Sequence, residues 1–322
     1  MTASIDYWWR SSIYITEKAK ELWLDVKIIN ENKNFFIVSW SDKSIIFKNT
    51  DFWANTALWK KIADDKELTW KMLEIWWFYS PKSIYFNSSK DFDANNIAVY
   101  TENFSYPLVI KPIDWAHWDW VCTNILDQEE LLLKSENCLQ EFWNLIIQEE
   151  HQWEEYRCFV YKWKVLWVYH RKPAFVVWDW KLSVKELIEF ENNDPNRWIW
   201  YEKDLVNIEI DSELEDYIFK NWGFSLDSIL DDWYELQLLW VSNIWKWWTL
   251  HDYTDIMCEE LKNEIWRFAE YLWLWLAWVD LLSEDLSKPL WKWWWTILEI
   301  NSTPGLSFRK DAEYILRDLF WL

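Results

Sequence analysis

The spacing of apolar residues at the start of the chain predicts a helix followed by short strands. Thr16–Leu22 has a helical composition, and the apolar runs after it predict strands at Val26–Ile29, Phe35–Val38 and Ser44–Phe47. A further segment, Asp64–Ile75, predicts a second helix. The first part of the chain therefore alternates helix and strand.

The rest of the chain continues this mixture. Strands are predicted at Ile84–Phe86, within Tyr106–Pro112, at Asn144–Gln148, over much of Tyr156–Val177, around Leu276–Leu282 and at Thr296–Ile300. Helices are predicted over Asp127–Lys134, Asp255–Leu272 and Asp311–Phe320. The β-rich stretches favour antiparallel hairpins, so the predicted fold class is α+β, with an α/β N-terminal part.

Tryptophan is abundant in this chain where glycine is expected. The sequence has 35 Trp and 2 Gly, whereas glycine averages about 7% of residues. Trp23, Trp76, Trp77 and Trp273 follow predicted helices, and Trp163 lies in a predicted hairpin turn, all positions that favour glycine. We therefore hypothesise that most Trp letters stand for glycine, as in a gene whose UGA codons are read as glycine. The alternative is a Trp-rich protein with an aromatic binding surface.

Charge and cysteine content narrow the functional classes. A net charge of −21 argues against general binding to nucleic acids or anionic membranes, which requires basic surfaces. The four cysteines form no CxxC pair, which predicts neither a zinc site nor a disulfide framework. The first residues lack an apolar signal core, and the longest apolar run, Tyr271–Leu282, is too short to span a bilayer. A soluble, cytoplasmic protein is expected.

A loop that follows the strand ending at Lys111 predicts a phosphate-binding segment. If Trp115, Trp118 and Trp120 are read as glycine, the loop presents bare backbone amides. Such amides can donate to phosphate oxygens while Lys111 neutralises the negative charge. His117 lies in the same loop, where contact with a substrate or phosphate and a plain surface position are equally compatible with the sequence.

Three oxygen-bearing side chains near the C-terminal end predict a cation site. Glu299 and Asn301 are two residues apart on a predicted strand, so their side chains share one face. Asp280, at the end of the preceding strand, could add a third oxygen. Such hard ligands suit a Mg²⁺ ion that also holds nucleotide phosphates. The alternative is a solvated pair of polar residues on a half-buried strand.

These segments together resemble the ATP-grasp ligases. The resemblance rests on IADDKELT around Lys66, on VIKP-x-D-x-x-H-x-x-x-V around Lys111, and on Asp280 with Glu299-x-Asn301. It is similar above all to the ATP-grasp domains of cyanophycin synthetases and of bifunctional glutathione synthetases. The similarity extends over about residues 63–306, and the first 60 residues match only loosely.

The resemblance implies an ATP-grasp fold and an amide-forming reaction. The expected organisation is an N-terminal α/β subdomain at residues 1–62 and an ATP-grasp domain at 63–322, with a mobile lid at about 80–146 and a C-terminal catalytic half. ATP, with Mg²⁺ or Mn²⁺, would phosphorylate a carboxylate to an acylphosphate. An amine would then attack it, releasing ADP and phosphate. The expected partners are small-molecule or peptide carboxylates and amines, and homo-oligomer formation is left open.

The resemblance also implies roles for individual residues. Nucleotide contacts are expected from Lys66, Lys111, Trp115, His117, Trp118, Trp120, Gln148, Glu149 and Glu155. Within this set the strand 147–150 would be the adenine hinge, and Gln148 stands where a Glu is usual. Glu155 would bind the ribose hydroxyls. Arg157 and Arg171 would be catalytic, steadying the phosphoryl group and the acylphosphate, unless they are exposed cross-strand partners. Asp280, Glu299 and Asn301 would hold the metal.

Two rival functions stay open at this stage. One is a ligase that resembles glutathione synthetases or forms another γ-glutamyl or dipeptide bond. The other is a non-catalytic nucleotide-binding protein. ATP-dependent ADP release in the presence of amino acids would separate catalysis from binding alone.

Overall fold

The computed structural model describes residues 10–87, 97–113, 121–172, 174–177, 179–193, 197–198, 205–229, 235–238, 249–288, 295–306 and 309–322. The helices in these ranges are α1 (Arg10–Glu21), α2 (Ala57–Ala63), α3 (Lys66–Ile75), α4 (Ile97–Tyr100), α5 (Gln128–Phe142), α6 (Val184–Asn192), α7 (Ser212–Trp222), α8 (Glu259–Tyr271) and α9 (Arg309–Phe320). A short 3-10 helix lies at Glu31–Lys33.

The strands are β1 (Asp25–Asn30), β2 (Phe35–Trp40), β3 (Lys43–Lys48), β4 (Ser83–Phe86), β5 (Leu108–Lys111), β6 (Cys122–Ile125), β7 (Leu145–Glu149), β8 (Glu154–Tyr161), β9 (Lys164–Lys172), β10 (Phe175–Val177), β11 (Arg197–Trp198), β12 (Leu205–Val206), β13 (Glu235–Gln237), β14 (Thr249–Asp252), β15 (Leu276–Ser283) and β16 (Trp295–Asn301). Helices and mostly antiparallel strands are mixed along the chain, which confirms the predicted α+β class.

A five-stranded antiparallel sheet forms the centre of the molecule. Its strand order is β14-β9-β8-β15-β16. Apolar residues alternate between its two faces, so each face is buried against other elements. One face carries Cys158 and Val279 into a core shared with α8, and the other carries Phe159 and Leu276 into a second core.

The N-terminal segment is built onto that second face. β1, β2 and β3 form an antiparallel sheet, and α1 packs against α9. Ile15 and Phe36 lie in the same buried cluster as Phe159, Leu276 and Leu316. The proposed boundary at residue 62 stays a prediction, but this core joins the first fifty residues to the last fifteen.

A second sheet, with the order β4-β7-β5-β6, lies within residues 83–149. Its core contains Leu108, Ile147 and Leu131, the last of these from α5. Asp127 caps the start of this helix, and its side chain accepts the backbone N–H of Glu130 at 2.9 Å. This sheet and α5 lie within the segment predicted as a lid, and lid motion itself stays a prediction.

A third, smaller unit contains two short sheets and two helices. β10 pairs with β13 and β11 pairs with β12. α6 begins with a capping box between Ser183 and Glu186. Leu187 and Leu214 from α6 and α7 pack with Val176 and Leu236.

One predicted helix begins later in the structure than the sequence predicts. The predicted helix is Asp64–Ile75, but α3 begins at Lys66, and a separate helix, α2, ends before it at Ala63. The cause is Asp65, whose carboxylate accepts the N–H of Leu68 at 3.0 Å and so fixes a new helix start.

Throughout the described ranges, we find no helix with the length and apolarity that crossing a membrane requires.

Candidate functional site

Three charged residues form a row across the central sheet. In β15, Asp280 is paired with Arg157 of β8 on one side and with Glu299 of β16 on the other. Directly paired residues of neighbouring strands point to the same face, so the register brings all three side chains together. Sequence spacing indicated the face shared by Glu299 and Asn301, but the pairing of Arg157 with Asp280 depends on strand register.

Arg157 and Asp280 form a buried bidentate ion pair. The guanidinium donates through Nε to Oδ1 at 2.7 Å and through Nη2 to Oδ2 at 2.6 Å. Both side chains are nearly inaccessible to solvent. Burial opposes the charge on Arg157, but the carboxylates of Asp280, Glu155 and Glu299 outweigh it, so the pKa of Arg157 is raised. Removing either partner would leave an uncompensated buried charge.

Glu299 is held in its ionised form. Burial favours protonation, but the positive charge of Lys66, a hydrogen bond from Asn301, and the charges of Arg157 and Lys111 together lower the pKa of Glu299 to about 2. Asn301 donates through Nδ2 to Oε1 of Glu299 at 3.1 Å. At neutral pH the site therefore presents a carboxylate anion beside the ion pair of Arg157 and Asp280.

Two lysines from other elements complete the charged cluster. Lys66 is the first residue of α3, and Lys111 is the last residue of β5. Burial and repulsion from Lys66 lower the pKa of Lys111 to about 7, although Glu299 and Glu155 act in the opposite direction. Since the two ammonium groups repel each other, a bound polyanion would relieve that repulsion.

Sequence reasoning missed Trp70 as a member of this site. Its indole Nε1 donates to the carbonyl oxygen of Leu298 at 2.8 Å, which fixes α3 against the strand residue next to Glu299. The ammonium nitrogen of Lys111 lies 4.8 Å from the centroid of the Trp70 ring, within the range of a cation–π interaction. The available signal was helical spacing, because Trp70 lies four residues after Lys66 and thus on the same helix face.

The residues expected at the adenine hinge lie on β7 and the segment after it. Gln148 is buried and donates through Nε2 to the hydroxyl of Ser83 at 3.0 Å. Glu149 accepts the N–H of Ser105 at 2.8 Å. Both side chains are thus bound within the protein, which favours ligand contacts through the backbone at this strand. Glu155 is half-buried and contributes to the raised pKa of Arg157.

Four of the predicted site residues lie outside the described residues: Trp115, His117, Trp118 and Trp120. Arg171 is described only through its backbone, which pairs with Leu250 of β14. Their roles stay predictions.

The oxygen-bearing side chains fit a hard divalent cation only as a mixed set. No group of three His, Cys, Asp or Glu residues in the described ranges is arranged to hold a metal. Asp280, Glu299 and the amide oxygen of Asn301 would therefore act together with ligand oxygens, as Mg²⁺ commonly requires. The ionised state of Glu299 suits that role.

Comparison with known proteins identifies relatives over most of the chain. No family model matches. Cyanophycin synthetase from Trichormus variabilis is 29% identical over 248 residues, which cover 76% of this chain and 27% of that protein. The glutathione biosynthesis bifunctional protein GshAB from Pasteurella multocida is 26% identical over 287 residues, covering 87% of this chain and 37% of that protein. The chain thus spans only a minor part of each relative's length.

Two solved structures share the fold of this chain. The bifunctional glutathione synthetase from Pasteurella multocida superimposes with a TM-score of 0.75 at 24% identity, over 98% of this chain and 44% of that one. The D-alanine–D-alanine ligase from Bacillus anthracis gives a TM-score of 0.50 at 16% identity, over 83% of this chain and 69% of that one. The family resemblance and the fold drawn from the sequence are confirmed.

Proposed function

We propose that this chain, an ATP-grasp fold homologous to parts of cyanophycin synthetase and GshAB, is an ATP-dependent carboxylate–amine ligase. The observation that carries the proposal is the charged cluster in which Lys66, Lys111 and the ionised Glu299 interact electrostatically beside the ion pair of Arg157 and Asp280. Two lysines beside a carboxylate that is ionised at neutral pH suit a nucleoside triphosphate bound through a divalent cation. ATP and Mg²⁺ or Mn²⁺ are the cofactors of the proposal.

Each group would have a distinct task. Lys66 and Lys111 would bind phosphate oxygens, and Asp280, Glu299 and Asn301 would hold the cation, whose charge offsets that of the phosphates. Arg157, fixed by Asp280, would keep a positive charge near the transferring phosphoryl group, with Arg171 in a similar role. The hinge of residues 147–150 and Glu155 would orient the nucleoside. Since phosphoryl transfer is catalysed mainly by positioning and charge, no protein nucleophile is needed.

The reaction proposed is amide formation through an acylphosphate. ATP transfers its terminal phosphoryl group to a substrate carboxylate and leaves as ADP. An amine then attacks the acyl carbon, phosphate leaves, and the nitrogen loses a proton to give the amide. The substrates would be small-molecule or peptide carboxylates and amines, as in a reaction similar to that of cyanophycin synthetase. The close superposition on a glutathione synthetase over nearly the whole chain favours a glutathione-like or other γ-glutamyl ligase as the second candidate.

A cytoplasmic setting belongs to the same proposal. The four cysteines, Cys122, Cys138, Cys158 and Cys258, all have free thiols, which suits a reducing compartment. A net charge of −21 supports small substrates over nucleic acids.

The direct test is ADP release with a panel of amino acids and short peptides. It should be run on the printed sequence and on a variant with glycine at Trp115, Trp118 and Trp120. We expect the glycine variant to show turnover that depends on ATP, Mg²⁺ and both organic substrates. This turnover should be lost when Glu299→Gln is added. ATP binding without any turnover across the panel would favour a non-catalytic nucleotide-binding protein. Binding of neither ATP nor ADP by the glycine variant would refute the proposal.

A further inference from the structure

The backbone places many tryptophans in a conformation that suits glycine. Among the described residues, thirteen non-glycine residues have positive φ, and eight of them are tryptophan. They are Trp23, Trp53, Trp77, Trp143, Trp163, Trp180, Trp273 and Trp321. A side chain with a Cβ is strained at these φ values, and bulky residues are rare there, whereas glycine has no penalty.

Four of these tryptophans follow helix ends of one type. Trp23, Trp77, Trp273 and Trp321 come after α1, α3, α8 and α9, and in each case the next residue donates its N–H to a carbonyl five residues earlier at 2.9 Å. This is the bond of a Schellman motif, whose left-handed position is usually glycine. Trp76, which the sequence also suggested as such a position, has φ −96 and does not belong to the group.

A fifth helix end can be compared directly with a glycine in the same chain. α7 ends at Gly223, with φ 72, ψ 14 and an N–H bond to the carbonyl of Phe219. α5 ends at Trp143, with φ 65, ψ −11 and an N–H bond to the carbonyl of Leu139. Both N–H bonds reach four residues back along the chain. Trp143 therefore occupies the same cap conformation in which the chain elsewhere uses glycine.

Most of these indoles lie at the surface, where their contacts are few: the Lys43 ammonium lies 3.6 Å from the Trp321 ring centroid, and Phe52 meets Trp53 edge-on at 6.3 Å. Seven of the eight are 57–93% exposed, from Trp180 at 57% to Trp77 at 93%. The eighth, Trp163, lies in the turn between β8 and β9, where both Lys162 and Trp163 have positive φ. Two successive positive φ values define a type I′ hairpin turn, which favours glycine at its second position. The Nε1 of Trp163 is buried and has no acceptor within the described structure.

Other tryptophans have the contacts expected of a true indole. The Nε1 of Trp70 donates to the carbonyl oxygen of Leu298 at 2.8 Å. The Nε1 of Trp222 donates to the carbonyl oxygen of Gln237 at 3.0 Å, and that of Trp266 donates to Oδ1 of Asn263 at 3.0 Å. All three lie within helices, where a glycine would be unfavourable.

We infer that the native polypeptide carries glycine at the eight left-handed positions and tryptophan at positions 70, 222 and 266. The inference assumes a source cell that translates UGA codons as glycine and UGG codons as tryptophan. It predicts a UGA codon at each of the eight left-handed positions. It predicts a UGG codon at positions 70, 222 and 266.

The test is a pair of reciprocal substitutions at matched helix ends. Trp143→Gly should raise the melting temperature and Gly223→Trp should lower it. A backbone strain of about 1 kcal/mol corresponds to a shift of about 2–4 °C in each case. No atom lies within 4 Å of a Cβ built at Gly223, so the second change reports the backbone cost rather than a clash. The inference would be overturned if Trp143→Gly left the melting temperature unchanged or lowered it, or if Gly223→Trp left it unchanged or raised it.

A combined variant tests the whole assignment. Glycine at all eight positions should give a folded protein with a higher melting temperature than the printed sequence. If the printed sequence does not fold, the variant with eight glycines should still show a cooperative unfolding transition. The control, Trp70→Gly with Trp222→Gly and Trp266→Gly, should lower it. Peptide masses from the source cell give an independent readout, and a tryptophan mass at position 143 or 273 would overturn the inference.

Discussion

Lys111 and Glu299 owe their charge states to the groups around them. Burial disfavours both charges, yet the pKa of Glu299 falls to about 2 because Lys66, Asn301, Arg157 and Lys111 stabilise the carboxylate. Lys111 gains less from its neighbours, and burial and Lys66 leave its pKa at about 7. Near neutral pH the cluster thus contains a fixed anion and a lysine that is poised to take up a proton.

This difference predicts that ATP binding takes up a proton. Phosphate oxygens favour the ammonium form of Lys111, so its pKa must be higher in the complex than in the free protein. Between those two values binding adds a proton, and ATP affinity should fall as pH rises above about 7. Calorimetric titration at pH 8 in buffers of different ionisation enthalpy would measure this uptake. A Lys111→Arg variant, always charged, should show a flatter pH profile, and zero uptake by the unmodified chain would contradict the argument.

The ion pair of Arg157 and Asp280 predicts strong coupling between two substitutions. Arg157→Met or Asp280→Leu alone should lower the free energy of unfolding by about 3–5 kcal/mol, because each leaves a buried charge without its partner. The double variant should recover a large part of that loss. Urea denaturation of the four proteins forms the cycle. Additive losses would show that the pair is not the source of the instability.

At the scale of the element, α3 links helix capping to the charged cluster. Asp65 caps its first turn, Lys66 is its first residue, and Trp70 bonds to β16. The N-terminus of α3 therefore fixes where the Lys66 ammonium lies relative to Glu299.

The two aspartate caps offer a matched pair of variants. Asp65→Ala in α3 and Asp127→Ala in α5 each remove a carboxylate that accepts the N–H three residues on, at 3.0 Å and 2.9 Å. Each should cost about 1 kcal/mol of stability. Only Asp65→Ala should also weaken ATP binding, because α5 carries no residue of the cluster. Equal ATP affinities in the two variants would show that the start of α3 does not position the ATP site.

At the scale of the whole molecule, one core joins the chain's two ends. Ile15 of α1 and Leu316 of α9 are both buried in the cluster that covers one face of the central sheet. A shared core means that the first strands cannot lose their packing without exposing the last helix.

Leu316→Ala should therefore destabilise the N-terminal sheet as well as α9. The expected loss is about 2–5 kcal/mol for a buried leucine. Hydrogen exchange should report faster opening of β2 and α9 together, since they share one cooperative unit. A control at exposed Leu58 should change stability little. If β2 kept its protection in Leu316→Ala, residues 1–62 would behave as a separate domain.

Local patterns were sufficient for most elements. The strands around Leu276–Leu282 and Thr296–Ile300 and the helix within Asp255–Leu272 are present, because their apolar residues repeat with the strand or helix period. The start of α3 was predicted two residues too early because the capping role of Asp65 depends on its backbone conformation.

The candidate site divides in the same way. By itself the sequence determined the residue types, the shared face of Glu299 and Asn301, and the turns that need a glycine-like backbone, since these depend on neighbours within a few positions. Only the tertiary structure decided that Arg157 pairs with Asp280 and that Trp70 lies between Lys111 and β16. Those contacts join residues more than forty positions apart, and strand register and helix packing bring them together.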